Sequence, residues 1–227
     1  MAKLKEKKKP KGVGKGGSGE RFVARALSRW ITGKSTPEVL WRSAMSGGKA
    51  TLNGVKRHTM AGDFVAIDDR AIFLTKVAVL DAKNRKTANV LDFLPLAAED
   101  MDCHKISKGA KTKGKKLWKD TIYCWWIKLC EEAREAEKIP ILVFKRHRSK
   151  RWYVVFDTDD WFKLRAVSGN KRDTVVLLVN TEAFRCVVMN MDDFVGRFTV
   201  DDFKNAFPVK IEMVEKLKRI RKGGEAG

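Results

Sequence analysis

Apolar residues along this chain change their spacing several times, and each change marks an element. From Ser18, a suitable helix cap, Phe22, Val23, Ala26, Leu27, Trp30 and Ile31 recur three and four residues apart. That spacing predicts an amphipathic helix with Glu20 at the edge of its buried face. A short strand follows over Val39 to Arg42, and then a Ser/Gly loop from Ser46 to Lys49. The segment AGDFVAIDDRAIFLTKVAVLDAKNRK, residues 61–86, reads as two strands joined by a turn at Asp68, Asp69 and Arg70. Alternation then sets Val77, Val79, Asp81, Lys83 and Arg85 on one face and Ala78, Leu80, Ala82 and Asn84 on the other, so Asp81 and Lys83 point the same way.

Helical spacing returns from about Thr121 to Lys138, with Trp125, Trp126, Leu129, Cys130 and Ala133 on the packing face and Pro140 as the stop. IPILVFKRHRSKRWYVVFD predicts a hairpin with a basic tip, Lys145 to Arg151. YVVFDTDDWF and CVVMNMDDFV each run a strand into an Asp pair and an aromatic, and TVDDFKNAF echoes that ending. Asp159, Asp160, Asp192 and Asp193 are therefore read as helix starts in preference to metal ligands. EMVEKLKRIRKGG predicts a short helix with a basic last turn. Strand, helix and strand in this order predict an α/β protein with a mixed central sheet. Its organisation is read as a basic arm over 1–17, a core over 18–160 and a C-terminal α+β extension over 161–227.

Charge sharpens that picture. Against 28 Asp+Glu stand 48 Lys+Arg, a formal net charge of +20, and the pI is about 9.9. Such an excess favours a polyanionic partner, nucleic acid before an anionic membrane surface. No apolar run approaches the roughly 20 residues needed to span a bilayer, and no hydrophobic signal follows the first lysines, which predicts a soluble cytoplasmic protein. The first 17 residues and the stretch 102–119, DCHKISKGAKTKGKKLWK, read as exposed basic segments. Cys103, Cys124, Cys130 and Cys186 form no C-x-x-C pair. Even with His104 beside Cys103, reduced thiols fit better than zinc.

Carboxylates at the mouth of an apolar sheet cost several kcal/mol each unless something compensates them. Asp63 follows Gly62, Asp81 ends the apolar run Val77 to Leu80, and Lys83 comes two residues later. Two carboxylates and a backbone carbonyl, that of Ala82, are hard oxygen ligands suited to Mg²⁺. Lys83 can orient a water and stabilise its deprotonated form as it attacks phosphorus. Glu20 would add a third acid, through water or at a second metal. Singly these residues have plainer readings: a helix first turn for Glu20, a turn cap for Asp63, a solvated strand end for Asp81 and Lys83. Their order in so basic a chain favours the metal reading.

The order Glu20, Gly62-Asp63, Asp81-Ala82-Lys83 resembles the PD-(D/E)xK nuclease superfamily, in particular archaeal Holliday-junction resolvases and related phage-encoded nucleases. The resemblance spans roughly 18–157 and takes in WRSAMSGGKA and CWWIKLCEEAREAEKIPILVFKR. It implies a restriction-endonuclease-like fold, DNA hydrolysis dependent on Mg²⁺ with Mn²⁺ as substitute, and a homodimer with paired active sites. It also implies Arg42, Ser46, Lys49, Lys145, Arg146 and Arg148 as phosphate contacts. Asp81 stands where glutamate is commoner, and the stretch 102–119 and the tail beyond Trp161 fall outside the resolvase pattern. Two competing readings are a restriction-like or nicking nuclease that needs no junction, and a non-catalytic nucleic-acid-binding protein on the same fold. Trp125 and Trp126 are read as core residues, not base-stacking ones.

Overall fold

A computed structural model of the chain describes residues 15–34, 38–43, 62–86, 88, 121–169, 175–180 and 185–209. The basic arm up to residue 14, Ser46, Lys49, Cys103, the stretch 102–119 and the C-terminal helix expected over 212–224 lie outside them. The elements in chain order are α1 (Lys15–Thr32), β1 (Leu40–Arg42), β2 (Phe64–Ala66), a 3-10 turn (Asp69–Ala71), α2 (Ile72–Val77), β3 (Ala78–Arg85), α3 (Ile122–Glu135), β4 (Ile139–Arg146), β5 (Tyr153–Asp157), α4 (Thr158–Ser168), β6 (Val175–Asn180), β7 (Arg185–Asn190), α5 (Met191–Arg197) and α6 (Val200–Ala206).

Five strands form one sheet in the order β3-β4-β5-β7-β6, and β1 and β2 form a separate antiparallel pair. Only the β3–β4 pairing in the large sheet is parallel. A parallel pair needs a crossover, and α3 lies in the connection that supplies it. Helices cover both faces, so β4 and β5 read as nearly continuous apolar runs. This mixed α/β sheet flanked by helices is the architecture anticipated, and it is consistent with a restriction-endonuclease-like fold.

One face of the sheet rests on α3. The Thr121 hydroxyl caps it, accepting the Cys124 N–H at 3.3 Å. Trp125 and Trp126, 8 % and 0 % exposed, pack with Leu129 and Ala133 against Val79, Leu142, Phe144 and Val155. Their core reading therefore holds. The helix stops before Pro140: Glu137 takes a positive φ of 54°, and the Lys138 N–H reaches back to the Ala133 carbonyl at 2.8 Å. Pro140 itself lies in β4, opposite Val79.

The other face carries α1, α2 and α4 to α6, which share one core with Ala78, Leu80 and Ala82 of β3, Ile141 and Val143 of β4, Val154 and Phe156 of β5, and Val187 and Met189 of β7. Trp30 of α1 contacts the rings of Phe73, Phe194 and Phe203 at 6.5, 5.4 and 5.8 Å, and its Nε1 donates to the Phe198 carbonyl at 2.6 Å. Residues from 161 on, expected as an accessory extension, supply most of α4 together with α5, α6, β6 and β7, with β7 hydrogen-bonded between β5 and β6.

Two expectations change. Helix α1 begins at Lys15, which puts Ser18 inside it instead of at its cap. Residues 69–77 form a 3-10 turn and helix where a second strand was expected, so β3 starts only at Ala78 and Val77 belongs to α2. The cause is local: the Asp68 carboxylate accepts the Arg70 N–H and guanidinium at 2.9, 2.8 and 2.9 Å, which starts the helical turn. Ala71, Phe73 and Leu74 can then reach the core together. Among the described residues no helix is long and apolar enough to cross a membrane.

Candidate metal centre and nucleic-acid face

Among the described residues β3 is an edge strand, and its open side is where the acids meet. Gly62 has φ +97°, and a Cβ there would sit 2.7 Å from the Leu80 carbonyl oxygen and 3.0 Å from its nitrogen. Only glycine allows the chain this close to the strand. Asp63 then docks on the edge: its N–H donates to the Leu80 carbonyl at 2.8 Å, and its Oδ2 accepts the Ala82 N–H at 3.1 Å. The Asp63 carbonyl accepts the Ser43 N–H at 2.7 Å, which ties the turn to the end of β1. The N–H and C=O of one strand residue project to the same side, so the Ala82 carbonyl also faces this edge.

The carboxyls of Asp63 and Asp81 lie close enough to shift each other's protonation. Burial, then the neighbouring Asp81 carboxylate, push the Asp63 carboxyl up to about 8, against the pull of Lys83 and the Ala82 N–H. Burial also lifts Asp81, but the neighbouring Asp63 carboxyl, the Lys83 charge and the Ala82 N–H outweigh it and hold Asp81 below its ordinary value. Lys83 places its Nζ 2.5 Å from Asp81 Oδ1, with the two side chains 25 % and 17 % exposed. Burial would lower its pKa, yet the two carboxylates keep it above the usual lysine value. Two carboxyls crowded on a strand edge with Lys83 beside them are a donor set suited to a divalent cation, since hard oxygens gather there without full charge compensation.

Glu20 is placed differently. Its carboxylate pairs with the Arg42 guanidinium, and Arg42 lies opposite Phe64, the residue after Asp63. Among the described residues no three His, Cys, Asp or Glu side chains gather as a cation site. The structure thus brings together Asp63, Asp81, Lys83 and the Ala82 backbone, and pairs Glu20 with Arg42 without gathering it into a three-acid cluster. No spacing rule signals the Glu20–Arg42 pair, since its partners come from a helix and a separate strand.

Of the basic residues expected at phosphate, Arg42 is committed to Glu20, while Arg146 and Arg148 are exposed at the β4–β5 tip. Lys145 holds the hairpin instead, with Nζ 5.0 Å over the Trp152 ring and 3.4 Å from the Ser149 carbonyl. Arg85 pairs in register with Arg146, and Lys83 with Phe144, so the basic tip lies at the same end of the sheet as the acid pair. Asp159, Asp160, Asp192 and Asp193 all stand in helix first turns. Cys124, Cys130 and Cys186 are free thiols.

No curated protein and no solved structure matches this chain. The acid pair and Lys83 precede the stretch that a known family does match. Over residues 105–205, less than half of the 227, the chain is similar to the family described as "Phage putative PDDEXK endonuclease", which supports placing it with the PD-(D/E)xK nucleases.

Proposed function

We propose that the protein is a Mg²⁺-dependent DNA endonuclease whose centre is Asp63, Asp81, Lys83 and the Ala82 carbonyl, and that it acts on branched DNA as a homodimer, as resolvases do. One observation carries the reading. Asp63, docked on the edge of β3 through Leu80 and Ala82, meets Asp81 there, with the Lys83 ammonium 2.5 Å from Asp81. A bound Mg²⁺, or Mn²⁺ in its place, supplies Lewis-acid polarisation of the phosphate and a more acidic water.

The chain's own groups do the rest. Asp63, its proton passed to solvent, and Asp81 would hold the ion through their oxygens beside the Ala82 carbonyl. Lys83, held by Asp81, keeps its proton and offsets negative charge developing on the attacking oxygen and the phosphate. Glu20, released from Arg42, would supply a further carboxylate, and the freed Arg42 would face phosphate together with Arg146, Arg148, Ser46 and Lys49. The net charge of +20 supports a polyanionic substrate.

The test is incubation with Mg²⁺ and matched linear, nicked, single-stranded and four-way DNA. Cleavage of the four-way substrate ahead of the others is expected. Equal cleavage of all four removes junction selectivity and favours a restriction-like or nicking enzyme. No Mg²⁺-dependent product from the parent protein removes the nuclease and leaves a binder.

A further inference from the structure

Phe22 belongs by spacing to the apolar stripe of α1, yet it is 51 % exposed. One of its faces is covered: the Trp152 ring lies parallel to it, with centroids 5.3 Å apart and an interplanar angle of 6°. The exposed area is therefore the other face and the rim of an aromatic ring already stacked on one side. Trp152, only 4 % exposed, is fixed from several directions. The Lys145 ammonium sits over its ring at 5.0 Å, and its carbonyl accepts the Met191 N–H at 3.0 Å. Gly19 brings α1 close: a Cβ there would lie 3.0 Å from Asn84 Cβ and 3.2 Å from Trp152 Cη2.

We propose that the Phe22–Trp152 stack is a platform for an unpaired DNA base beside the cleavage site, and that it selects strands leaving the duplex. Its place beside a cleavage site rests on the nuclease reading; the platform itself does not. Asn84, under the same contact, follows Lys83 in β3, and at about 3.3 Å per residue it lies about 10 Å beyond Asp81. The ring lies on the sheet face opposite the Asp81 and Lys83 side chains, so a strand bound there would pass round the free edge of β3 and reach the acid pair within a few nucleotides. Arg21 and Arg151, the chain neighbours of Phe22 and Trp152, are exposed, which suits a planar ligand carried on a phosphodiester chain. A base inside an intact duplex has both faces stacked and cannot use the ring, so the preference is for unpaired nucleotides. Trp125 and Trp126, the aromatic pair that sequence draws attention to, are buried and cannot serve.

Binding is measured on the full chain in chelator, with one 2-aminopurine placed either in the unpaired arm of a splayed duplex or in a fully paired duplex. The parent protein quenches the unpaired probe on binding, and absence of that quenching overturns the proposal without any variant. Phe22→Leu weakens binding to the splayed DNA about five- to a hundredfold, the range of one lost base stack, and changes binding to paired DNA by less than about twofold. Phe22→Tyr restores it. Equal weakening on both substrates, or no selective weakening, overturns the platform. The two readings fail separately: selective loss in a protein that never cleaves DNA removes the nuclease and keeps the platform, and Mg²⁺-dependent cleavage without the selective loss does the reverse.

Discussion

Aspartates at the helix starts of the C-terminal half and aspartates at the edge of β3 answer the same need in opposite ways. Asp157 accepts the Asp159 N–H at 2.9 Å. Thr199 and Asp202 close a reciprocal capping box, with distances of 2.8 and 3.0 Å. These carboxylates find their partners within three residues, as soon as the helix forms. Asp63 and Asp81 are brought together only by the finished fold, in surroundings that push one carboxyl up to about 8. The contrast shows that an acid's chemistry is decided less by its sequence neighbours than by whether its charge is settled locally.

The contrast breaks most visibly in cleavage. Lys83→Ala and Asp81→Asn should each lower Mg²⁺-dependent cleavage about a hundred- to a thousandfold while DNA affinity stays within about threefold. Asp159→Asn and Asp192→Asn should leave the rate alone, and comparable losses there would erase the distinction.

Gly62→Ala comes next. It adds a Cβ 2.7 Å from the Leu80 carbonyl at a φ of +97°. A loss of about 2 kcal/mol or more in urea unfolding is expected, with cleavage falling alongside as Asp63 leaves the strand. An unchanged midpoint and rate would show that the close approach is dispensable.

A smaller effect should appear with pH. The Asp63 carboxyl, raised from 3.8 to about 8, binds its proton more tightly folded than unfolded. Its contribution to stability is therefore full below about pH 4 and is lost as pH climbs towards 8. Asp81, lowered, acts in the opposite sense only below its ordinary value, outside that window. Metal-free protein should unfold at lower urea at pH 8.5 than at pH 6, with Mg²⁺ narrowing the gap; a flat profile would mean that the Asp63 carboxyl is not raised. Smallest is Thr199→Ala, which should cost about 1 kcal/mol in unfolding and nothing in cleavage.

Much of this was legible before the fold. Alternation from Ala78 to Arg85 placed Asp81 and Lys83 on one side, and they meet at 2.5 Å. Helix spacing located α1 and α3, and the Asp pairs marked the starts of α4 and α5. What escaped depended on contacts between distant segments. IFLTKV suits a strand by composition, and only the Asp68 cap and the burial of Phe73 and Leu74 make it helical. Phe22 fits the apolar stripe of α1, but Trp152 arrives from a hairpin far along the chain to take just one of its faces. Arg42 likewise looked free for phosphate until Glu20 met it.

One consequence of the Asp63 docking concerns self-association. A strand at the border of a sheet offers unpaired backbone groups to any extended segment that comes by, and this is how soluble chains seed fibres. Here the Leu80 carbonyl and the Ala82 amide are already taken by one residue's amide and carboxylate. The docked Asp63 is thus also a plug, and a descendant that lost it would still need something to stopper that border.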